Sequence, residues 1–440
     1  MSEAPGLPVV SRTPVEELAP VLDRAELEVF VRSFLDRRDV FLNAARAYGS
    51  PLYVLDEPVL RERARRFLAA FRAELPDVRV TYAVKSNNLP SLAGILLDEG
   101  LGLDVSSGLE LRMALDLAAT DIVFSGPAKQ DHELDLAVAH ADVVMVLIDS
   151  FAELDRLEAA AARAGVTVRA GVRLTTEEHG LWRKFGIPLG ELLSFATAVR
   201  ARSHIDWCGL QFHTSWNLGP EAQVAFIRRL GEALAAVPAG MRAGLTFVDV
   251  GGGFWPGQGE WLQQACPSGG GPAPSSGSAP IHYRRPARPI ETFASTLSDA
   301  LRRHLFPLAP CAVRCEPGRW LCHDAMHILL TVVDRKAADL VITDGGTHAV
   351  GWERFETDYF PVINLSRPAL DEKPGYILGS LCTPHDVWGY GYFGADIRPG
   401  DVLLVPTQGA YTYSLRQHFI KPIPGVVRLG AGGSLTSVKS

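Results

Sequence analysis

Two regular patterns in the sequence predict a (β/α)8 barrel followed by an all-β domain. From residue 50 onward, short apolar runs rich in β-branched residues alternate with amphipathic segments of helical period. Eight such runs precede Arg319, and eight strands alternating with helices are typical of a parallel barrel. After Arg319 the alternation stops, and strand-like runs separated by Gly, Pro and Asp follow one another. A doubly wound open sheet is the alternative, but it usually has fewer strands and a glycine-rich turn after the first one.

The barrel elements follow one another in the order that this pattern requires. The predicted strands are 78–85, 101–107, 121–127, 142–149, 168–174, 206–213, 246–253 and 312–319. The predicted helices are 89–100, 108–118, 130–140, 151–164, 189–202, 221–237 and 290–305. Two helices begin with a capping signal, a serine followed three residues later by a glutamate: Ser107 with Glu110, and Ser150 with Glu153.

The rest of the chain divides around this barrel. We predict an N-terminal segment over 1–49, the barrel over 50–326 and a C-terminal β-domain over 327–440. The N-terminal segment contains a helix-like stretch over 26–48, which packs on the β-domain or on the barrel end. The stretch 266–288 is rich in Gly, Pro and Ser and poor in apolar groups, so it is predicted to be a mobile surface loop. The predicted β-domain strands are 327–336, 339–343, 361–365, 376–381 and 401–406.

Composition and charge exclude several classes of protein. Hydrophobic residues make up 47% of the chain and charged residues 21%, as in folded proteins and unlike disordered chains. The formal net charge of −7 argues against a nucleic acid or an anionic membrane as partner. The apolar runs are too short to span a bilayer, and the sequence begins without a signal peptide. The six cysteines include no C-x-x-C pair, so we expect thiols in the cytoplasm and no metal site.

A barrel places the carboxyl ends of its strands on one face, where its chemistry lies. The residues at the predicted strand ends are Lys85, Ser106, Arg173, His213, Gly251, Gly252, Gly253, Glu316, Pro317, Gly318 and Arg319. Taken singly, each type is common at such positions for structural reasons. Their joint placement on one face favours a functional site.

These residue types together point to one cofactor. A lysine among apolar neighbours can lose its charge and form a Schiff base with an aldehyde. The glycines at 251–253 allow backbone N–H groups to approach a phosphate, and Arg319 adds a guanidinium. Glu316 suits a pyridine nitrogen, which it would keep protonated, and His213 suits stacking on a flat ring. Aldehyde, phosphate and pyridine nitrogen together indicate pyridoxal 5′-phosphate (PLP).

Five motifs, in the right order, now make a family recognisable. They are Tyr82-Ala83-Val84-Lys85-Ser86-Asn87, Asp249-Val250-Gly251-Gly252-Gly253-Phe254, Glu316-Pro317-Gly318-Arg319, Gly379-Ser380-Leu381-Cys382 and Gly409-Ala410-Tyr411-Thr412. The chain resembles the fold-type III PLP-dependent decarboxylases, which include ornithine, arginine and diaminopimelate decarboxylases. The resemblance extends from residue 51 to the C-terminus, and the ordered set of motifs makes it specific.

The resemblance implies a role for each matching residue. Lys85 would hold PLP, His213 would stack on its ring and Glu316 would pair with its nitrogen. Cys382 would return a proton to Cα after CO2 leaves. In the family this cysteine comes from the other subunit, so a head-to-tail homodimer is implied. Gly253, Gly318, Arg319 and Tyr411 would bind its phosphate, and the further implied cofactor-binding positions are Ser215, Gly252 and Pro317.

The chain departs from the family pattern at two places. After strand six the family reads F-H-[IV]-G-S, whereas this chain has Trp216 at the place of the phosphate-binding serine, so Ser215 or Thr214 substitutes or one contact is missing. Members that bind a distal amine carry an acid directly after the cysteine, and this chain has Thr383. A buried ammonium without its counter-charge is costly, so a simple basic amino acid is disfavoured as substrate.

The sequence from Cys382 to Asp386 instead resembles the branch found in siderophore and other secondary-metabolite pathways. Those enzymes decarboxylate an amino acid already joined to another group, such as a citryl-diaminopropionate. The candidate substrate contacts are Thr383, His385, Asp386, His348 and Arg354, with Arg183 and Trp216 as further candidates. Surface positions are the alternative for Arg183 and Arg354.

Three functions compete on this sequence. The first is a PLP-dependent α-decarboxylase, acting on a conjugated amino acid or, alternatively, on a free diamino acid such as ornithine, lysine or diaminopimelate. The second is an amino-acid racemase of the same barrel class, which would place an arginine rather than Glu316 against the pyridine nitrogen. The third is an inactive regulatory homologue, which would lack cofactor residues such as Lys85 and Arg319. The residues present favour the decarboxylase.

Overall fold

The computed structural model describes residues 19–177, 179–263, 280–351 and 361–438. Eight parallel strands form a closed barrel, because the last strand pairs back with the first through Cys315 and Val80. The barrel strands are Arg79–Ala83, Gly102–Val105, Ile122–Phe124, Val144–Ile148, Val168–Thr175, Ile205–Phe212, Phe247–Asp249 and Ala312–Cys315. A short strand, Ile187–Pro188, adds to the outside of the fifth. The predicted barrel is confirmed.

Helices surround this barrel and connect its strands. They are Glu57–Glu74, Pro90–Asp98, Gly108–Asp116, Asp131–Ala139, Phe151–Ala164, Leu192–Arg200, Glu221–Ala235, Ala239–Arg242, Ile290–His304 and Arg319–Cys322. None of the described helices is long and apolar enough to cross a membrane.

The two predicted serine caps are present, and their glutamates reach one residue further than expected. Ser150 Oγ accepts a hydrogen bond from the Glu153 N–H, as a capping serine does. The Glu153 carboxylate accepts the N–H of Asp149 rather than that of Ser150. Ser107 and Glu110 repeat this arrangement. Each cap therefore fixes the turn between a barrel strand end and its helix.

The barrel interior is packed in layers, and an apolar layer around Phe247 explains the glycine at position 209. Phe247 lies in a cluster with Met145, Leu147 and Cys208 inside the barrel. A Cβ atom built on Gly209 would lie 1.9 Å from the Phe247 ring, so this strand position accepts only glycine. A polar layer, which includes Asp104, Gln211, Asp249 and Glu316, lies nearer the carboxyl ends of the strands.

A nine-stranded sheet forms the second domain. Its strands, in spatial order, are Leu340–Thr343, Glu372–Leu378, Val387–Phe393, Val362–Asn364, Val402–Val405, Met326–Ala337, Leu52–Asp56, Gly425–Leu429 and Leu435–Val438. The predicted all-β domain is confirmed. Leu52–Asp56 is a correction to the predicted boundary, since it precedes the barrel in sequence and pairs in this sheet with Met326–Ala337 and Gly425–Leu429.

The described part of the N-terminal segment, from residue 19 onward, packs on the β-domain. Two helices, Arg24–Leu35 and Arg38–Tyr48, replace the single helix expected over 26–48. Phe34 and Phe41 on these helices are buried against a sheet face that includes Val54 and Leu404. Of the two packing sites that the sequence left open, the contacts select the sheet.

The predicted loop over 266–288 lies partly outside the described residues. Within it, His282–Arg285 is a strand that pairs antiparallel with Glu260–Gln263, so the loop prediction is wrong for these four residues. His282 and Tyr283 at the start of this strand are buried, and the two arginines that follow are more exposed.

Candidate active site at the carboxyl ends of the barrel strands

Lys85 lies one turn beyond the first barrel strand and forms an ion pair inside the barrel mouth. Its Nζ is 2.6 Å from Asp104 Oδ2, and Asp104 is fully buried while the Lys85 side chain is 34% exposed. Burial acts to lower the pKa of Lys85, but Asp104, with Glu316 and Tyr411, outweighs it and raises the pKa overall. Lys85 is thus a reachable amine whose protonated form the protein stabilises.

Glu316 follows the last barrel strand and is almost completely buried. The Gln211 amide donates to both of its carboxylate oxygens, at 3.3 and 3.4 Å. Burial alone would raise the pKa of Glu316, but the positive charges of Lys85 and Arg173 help to lower it overall. The site therefore holds an ionised acid in a layer that excludes water, as a protonated ring nitrogen requires of its partner.

His213 follows the sixth barrel strand and lies beside Glu316. Its Nδ1 accepts a hydrogen bond from the Gly252 N–H at 3.1 Å and is 3.8 Å from Glu316 Oε2. Burial lowers the pKa of His213, so the ring is neutral at neutral pH. Since Nδ1 accepts, we assign the ring proton to Nε2. A neutral imidazole held in this way offers a flat face for stacking.

The predicted glycine loop lies close to the backbone of neighbouring strand ends. A Cβ atom at Gly252 would lie 2.3 Å from the Glu316 carbonyl oxygen, and one at Gly253 would lie 2.1 Å from the Thr214 carbonyl oxygen. Gly253 also has a φ of +75°. Only glycines permit this approach. The Gly251 N–H donates to Asp249 and the Gly252 N–H to His213, so among the described contacts the Gly253 N–H is the one left for an anion such as a phosphate.

Arg319 and Tyr411 meet at the edge of this loop. The Arg319 guanidinium lies 4.4 Å from the centre of the Trp255 ring and 5.2 Å from that of Tyr411. The Tyr411 N–H donates to the Ser86 carbonyl at 2.7 Å, which ties this β-domain loop to the segment of Lys85. The two rings hold a cation next to the glycine loop, and a phosphate would find it there.

Trp216 stands at the place of the family's phosphate-binding serine, and the loop around it has an unusual backbone conformation. Trp216 adopts a φ of +53° and is 51% exposed. The Thr214 hydroxyl accepts a hydrogen bond from the Asn217 amide at 2.9 Å. Ser215 lines a cavity of about 290 Å³ beside His213, with Thr176, Trp182, Trp216 and Arg229 also in its wall. Of the two candidate substitutes, Ser215 is the one without a described side-chain partner.

The β-domain residues predicted for substrate binding divide into exposed and buried sets. Cys382 and His385 are exposed and Thr383 is partly exposed, in the turn between strands Glu372–Leu378 and Val387–Phe393. Among the contacts of the described residues, none joins this turn to Lys85 or Glu316. Arg354 lies outside the described residues.

Asp386 and His348 have structural contacts that the sequence did not indicate. Asp386 is buried, and its two oxygens accept the N–H groups of Thr347 and Leu381, each at 2.7 Å. His348 is buried, and its Nε2 lies 3.1 Å from the Pro422 carbonyl oxygen. Asp386 therefore supports the Cys382 turn, and its predicted contact with substrate stays a prediction.

Three polar residues of the barrel layer were not assigned a role from the sequence. Asp104 pairs with Lys85, Gln211 binds Glu316, and Asp249 accepts the Gly251 N–H at 2.8 Å. A polar side chain within a buried apolar strand is the signal that would have found Asp104 and Gln211. Asp249 belongs to the glycine-loop motif over 249–254, but the motif alone does not indicate what Asp249 contacts.

The geometry of the site alone defines a class of protein. An amine, an ionised acid, a neutral flat histidine and an anion-binding loop meet at one barrel mouth, and these groups fit the aldehyde, ring nitrogen, ring face and phosphate of PLP. Residues 61–323 match the family described as "Pyridoxal-dependent decarboxylase, pyridoxal binding domain", and the chain belongs to this family. It is a PLP-dependent carboxy-lyase, so the racemase and regulator alternatives are set aside.

Curated relatives span nearly the whole chain. It is 25% identical over 414 residues to the L-glutamyl-[BtrI acyl-carrier protein] decarboxylase of Niallia circulans, covering 88% of this chain and 90% of the relative. It is 29% identical over 424 residues to the diaminopimelate decarboxylase of Mycobacterium bovis, covering 89% and 88%. These relatives support a decarboxylase and differ in substrate.

Solved structures share the fold. The diaminopimelate decarboxylase of Helicobacter pylori complexed with L-lysine matches with a TM-score of 0.74 at 20% identity, covering 90% of this chain and 95% of that one. The lysine/ornithine decarboxylase of Vibrio vulnificus complexed with putrescine matches with a TM-score of 0.69 at 22% identity, covering 90% and 98%. Both matches extend over the barrel and the β-domain together.

Proposed function

We propose that this enzyme removes the α-carboxylate of an amino acid that is already joined to another group, as in a citryl-diaminopropionate siderophore precursor. In this reaction the bond between Cα and the carboxylate breaks, CO2 leaves, and Cα gains a proton. Bound PLP would supply the electron sink for that bond cleavage. The enzyme's own residues bind and orient the reactants and move the proton.

Each site residue has a part in this proposal. Lys85 would hold the cofactor through its amine and give it up to the amine of the substrate. Glu316 would keep the ring nitrogen protonated, and His213 would stack on the ring. Cys382, or a water, gives Cα its proton. Gly253, Gly318, Arg319 and Tyr411 would bind the cofactor phosphate, with Ser215 or Thr214 at the place of the family's serine, and Gly252 and Pro317 would lie beside the cofactor.

The observation that carries the substrate class is Thr383. It stands directly after Cys382, where members that bind a distal ammonium have an acid. Its hydroxyl is 3.3 Å from the His385 N–H, so this position offers a neutral group and no carboxylate. A free diamino acid would lose a charge-assisted hydrogen bond there, whereas a conjugate has no distal ammonium to satisfy.

Two further observations support a conjugated substrate. The Niallia circulans relative acts, by its name, on a glutamyl group attached to an acyl-carrier protein. The cavity beside His213, with Trp182 and Trp216 in its wall, gives room for a bulky extension. The diaminopimelate decarboxylase relatives support the alternative, a free diamino acid.

Cys382 supports a further part of the proposal, a head-to-tail homodimer. Its thiol is exposed on the β-domain, and its turn makes no described contact with Lys85 of the same chain. We infer that Cys382 of the partner subunit completes each site. The five cysteines in the described part of the chain are free thiols, as a reducing cytoplasm would leave them.

The test is CO2 release from a panel of substrates. We expect turnover of citryl-conjugated diaminopropionate and slow turnover of free ornithine, lysine and diaminopimelate. The matched variant is Thr383→Asp, which restores the acid and should raise the turnover of free diamino acids relative to that of the conjugate. Rapid decarboxylation of a free diamino acid by the unaltered enzyme would refute the substrate proposal.

A further inference from the structure

Two oxygen atoms in the polar layer of the barrel have no hydrogen-bond partner among the described residues. They are Gln211 Oε1 and Asp249 Oδ2, and both atoms are buried. Gln211 is 1% exposed and Asp249 is fully buried. A buried acceptor without a donor costs free energy, so both atoms need an explanation.

The two residues are neighbours on adjacent strands. Gln211 and Asp249 are paired in the parallel register between strands Ile205–Phe212 and Phe247–Asp249. Residues paired in this way project from the same face of a sheet, here into the barrel. If both groups were only acceptors, their oxygens would repel each other. A proton on one of them removes the conflict, and only the carboxyl group of Asp249 can carry it.

The rest of the geometry fixes the direction of this hydrogen bond. Asp249 Oδ1 already accepts the Gly251 N–H, which leaves Oδ2 as the oxygen to be protonated. Gln211 uses its Nε2 for both oxygens of Glu316, which leaves Oε1 as the acceptor. Asp249 then donates a hydrogen bond to Gln211, and Gln211 donates hydrogen bonds to Glu316.

We propose that Asp249 stays protonated, donates to Gln211 Oε1, and so holds the Gln211 amide with its N–H toward Glu316. Gln211 and Asp249 are positioning residues, since neither touches the cofactor in this arrangement. They keep Glu316 ionised and aimed at the ring nitrogen, so the inference rests on the proposed role of Glu316.

The charges around Asp249 agree with this arrangement. Burial and the nearby Glu316 raise the pKa of Asp249 well above its usual range, with Asp104 acting in the same direction. The Gly251 N–H and Arg314 oppose the shift without reversing it. Arg314 is itself engaged by Asp121 at 2.9 Å, which weakens its pull on Asp249.

The first experiment is infrared spectroscopy of the holoenzyme in H2O and in D2O. We expect the C=O band of a protonated carboxyl group at pH 7 to 8, shifted by D2O and lost in Asp249→Asn. Identical spectra for the wild-type enzyme and Asp249→Asn would show that Asp249 is ionised and would overturn the proposal. This readout needs no substrate, so it is independent of whether the substrate proposal holds.

The second experiment follows ring protonation with ¹⁵N-labelled PLP by NMR across a pH series. Asp249→Asn still offers an N–H to Gln211, so it should keep the wild-type profile. In Asp249→Ala and Gln211→Leu, the pH at which the ring nitrogen loses its proton should fall by at least about one unit, because Glu316 loses its orientation.

The matched control is Gln223→Leu, a buried glutamine that contacts the carbonyls of Val250 and Gly252 instead of Glu316. An unchanged profile in Gln211→Leu, or Asp249→Asn behaving like Asp249→Ala, would overturn the positioning role.

Discussion

The barrel mouth and the Cys382 turn contribute to the chemistry in different ways. At the barrel mouth, Lys85 is hydrogen-bonded to Asp104, and Gln211 is hydrogen-bonded to Glu316, all within one chain. Asp104, Gln211 and Glu316 are buried. On the β-domain, Cys382 lies exposed in a turn with no described link to that cluster. The residues proposed to bind the cofactor therefore lie mostly around one barrel mouth, whereas in our proposal the proton donor comes from the partner subunit.

In our proposal, the β-domain nevertheless contributes residues both to the barrel mouth of its own chain and to that of the partner subunit. Its loop at Tyr411 reaches the barrel of the same chain and contacts Arg319 and Ser86. The turn at Cys382 belongs to the same sheet and does not. One domain thus closes its own barrel with one loop and, in our proposal, serves a second barrel with another. The experiments below test this division, beginning with the largest expected effect.

Lys85→Ala should have the largest effect. The variant loses the amine that holds the cofactor, so we expect no visible absorbance from bound PLP and a fall in kcat of at least about 10⁴-fold. The measurement is the absorbance spectrum of the purified protein with the CO2-release rate. The control is Lys336→Ala, an exposed lysine of the β-domain, which should keep both. A Lys85→Ala protein with normal absorbance would place the cofactor elsewhere.

Cys382→Ala should leave the cofactor bound and slow the reaction by roughly 10²-fold, as expected for the loss of a positioned proton donor. Cys311→Ala is the matched control, because Cys311 lies at the opposite end of the barrel, just before strand Ala312–Cys315. Unchanged turnover and unchanged product in Cys382→Ala would remove this thiol from the mechanism.

The same pair of variants tests where Cys382 acts. If it serves the partner subunit, mixing Lys85→Ala chains with Cys382→Ala chains creates heterodimers in which one site has both residues. Activity should then recover to roughly a quarter of that of the wild-type enzyme after subunit exchange. No recovery, although subunit exchange is observed, would contradict the division between the two regions.

The sequence predicted the barrel half more completely than the β-domain half, for a physical reason. Barrel strands buried on both faces are continuous apolar runs, so their ends, and with them Lys85, His213 and Glu316, could be located from pattern alone. Strand Val387–Phe393 was missed because its glycines resemble turn signals. Gln211 and Asp249 could not be connected from sequence, because their contact depends on the register between strands.

Asp104→Asn should have a smaller effect, visible as a change in pH dependence. Asp104 raises the pKa of Lys85 against the effect of burial, so removing its charge lets burial lower that pKa. The neutral amine, which reacts with the aldehyde, then forms at lower pH. We expect the pH midpoint for PLP uptake by the cofactor-free enzyme to fall by about 1 to 3 units.

Asp98→Asn is the control for this measurement, since Asp98 is an exposed aspartate that contacts Arg61 and not Lys85. It should leave the midpoint unchanged. A midpoint in Asp104→Asn that stays in place, or moves to higher pH, would mean that Asp104 does not set the charge of Lys85.

Asp386→Asn should have the smallest effect on chemistry and a measurable one on stability. Both oxygens of Asp386 accept backbone N–H groups, one from Leu381 beside Cys382 and one from Thr347. An asparagine keeps one acceptor and turns an N–H toward the other donor, leaving that buried backbone group unpaired at a cost of about 1–3 kcal/mol. The measurement is thermal unfolding of the holoenzyme together with the KM of the conjugate.

Asp371→Asn is the control, because Asp371 is an exposed aspartate of the same domain, and it should change neither the unfolding temperature nor the KM. If Asp386 instead bound substrate, its replacement would raise KM at unchanged stability. A lower unfolding temperature with kcat reduced in parallel with that of Cys382→Ala would show that Asp386 acts by holding the turn that presents Cys382.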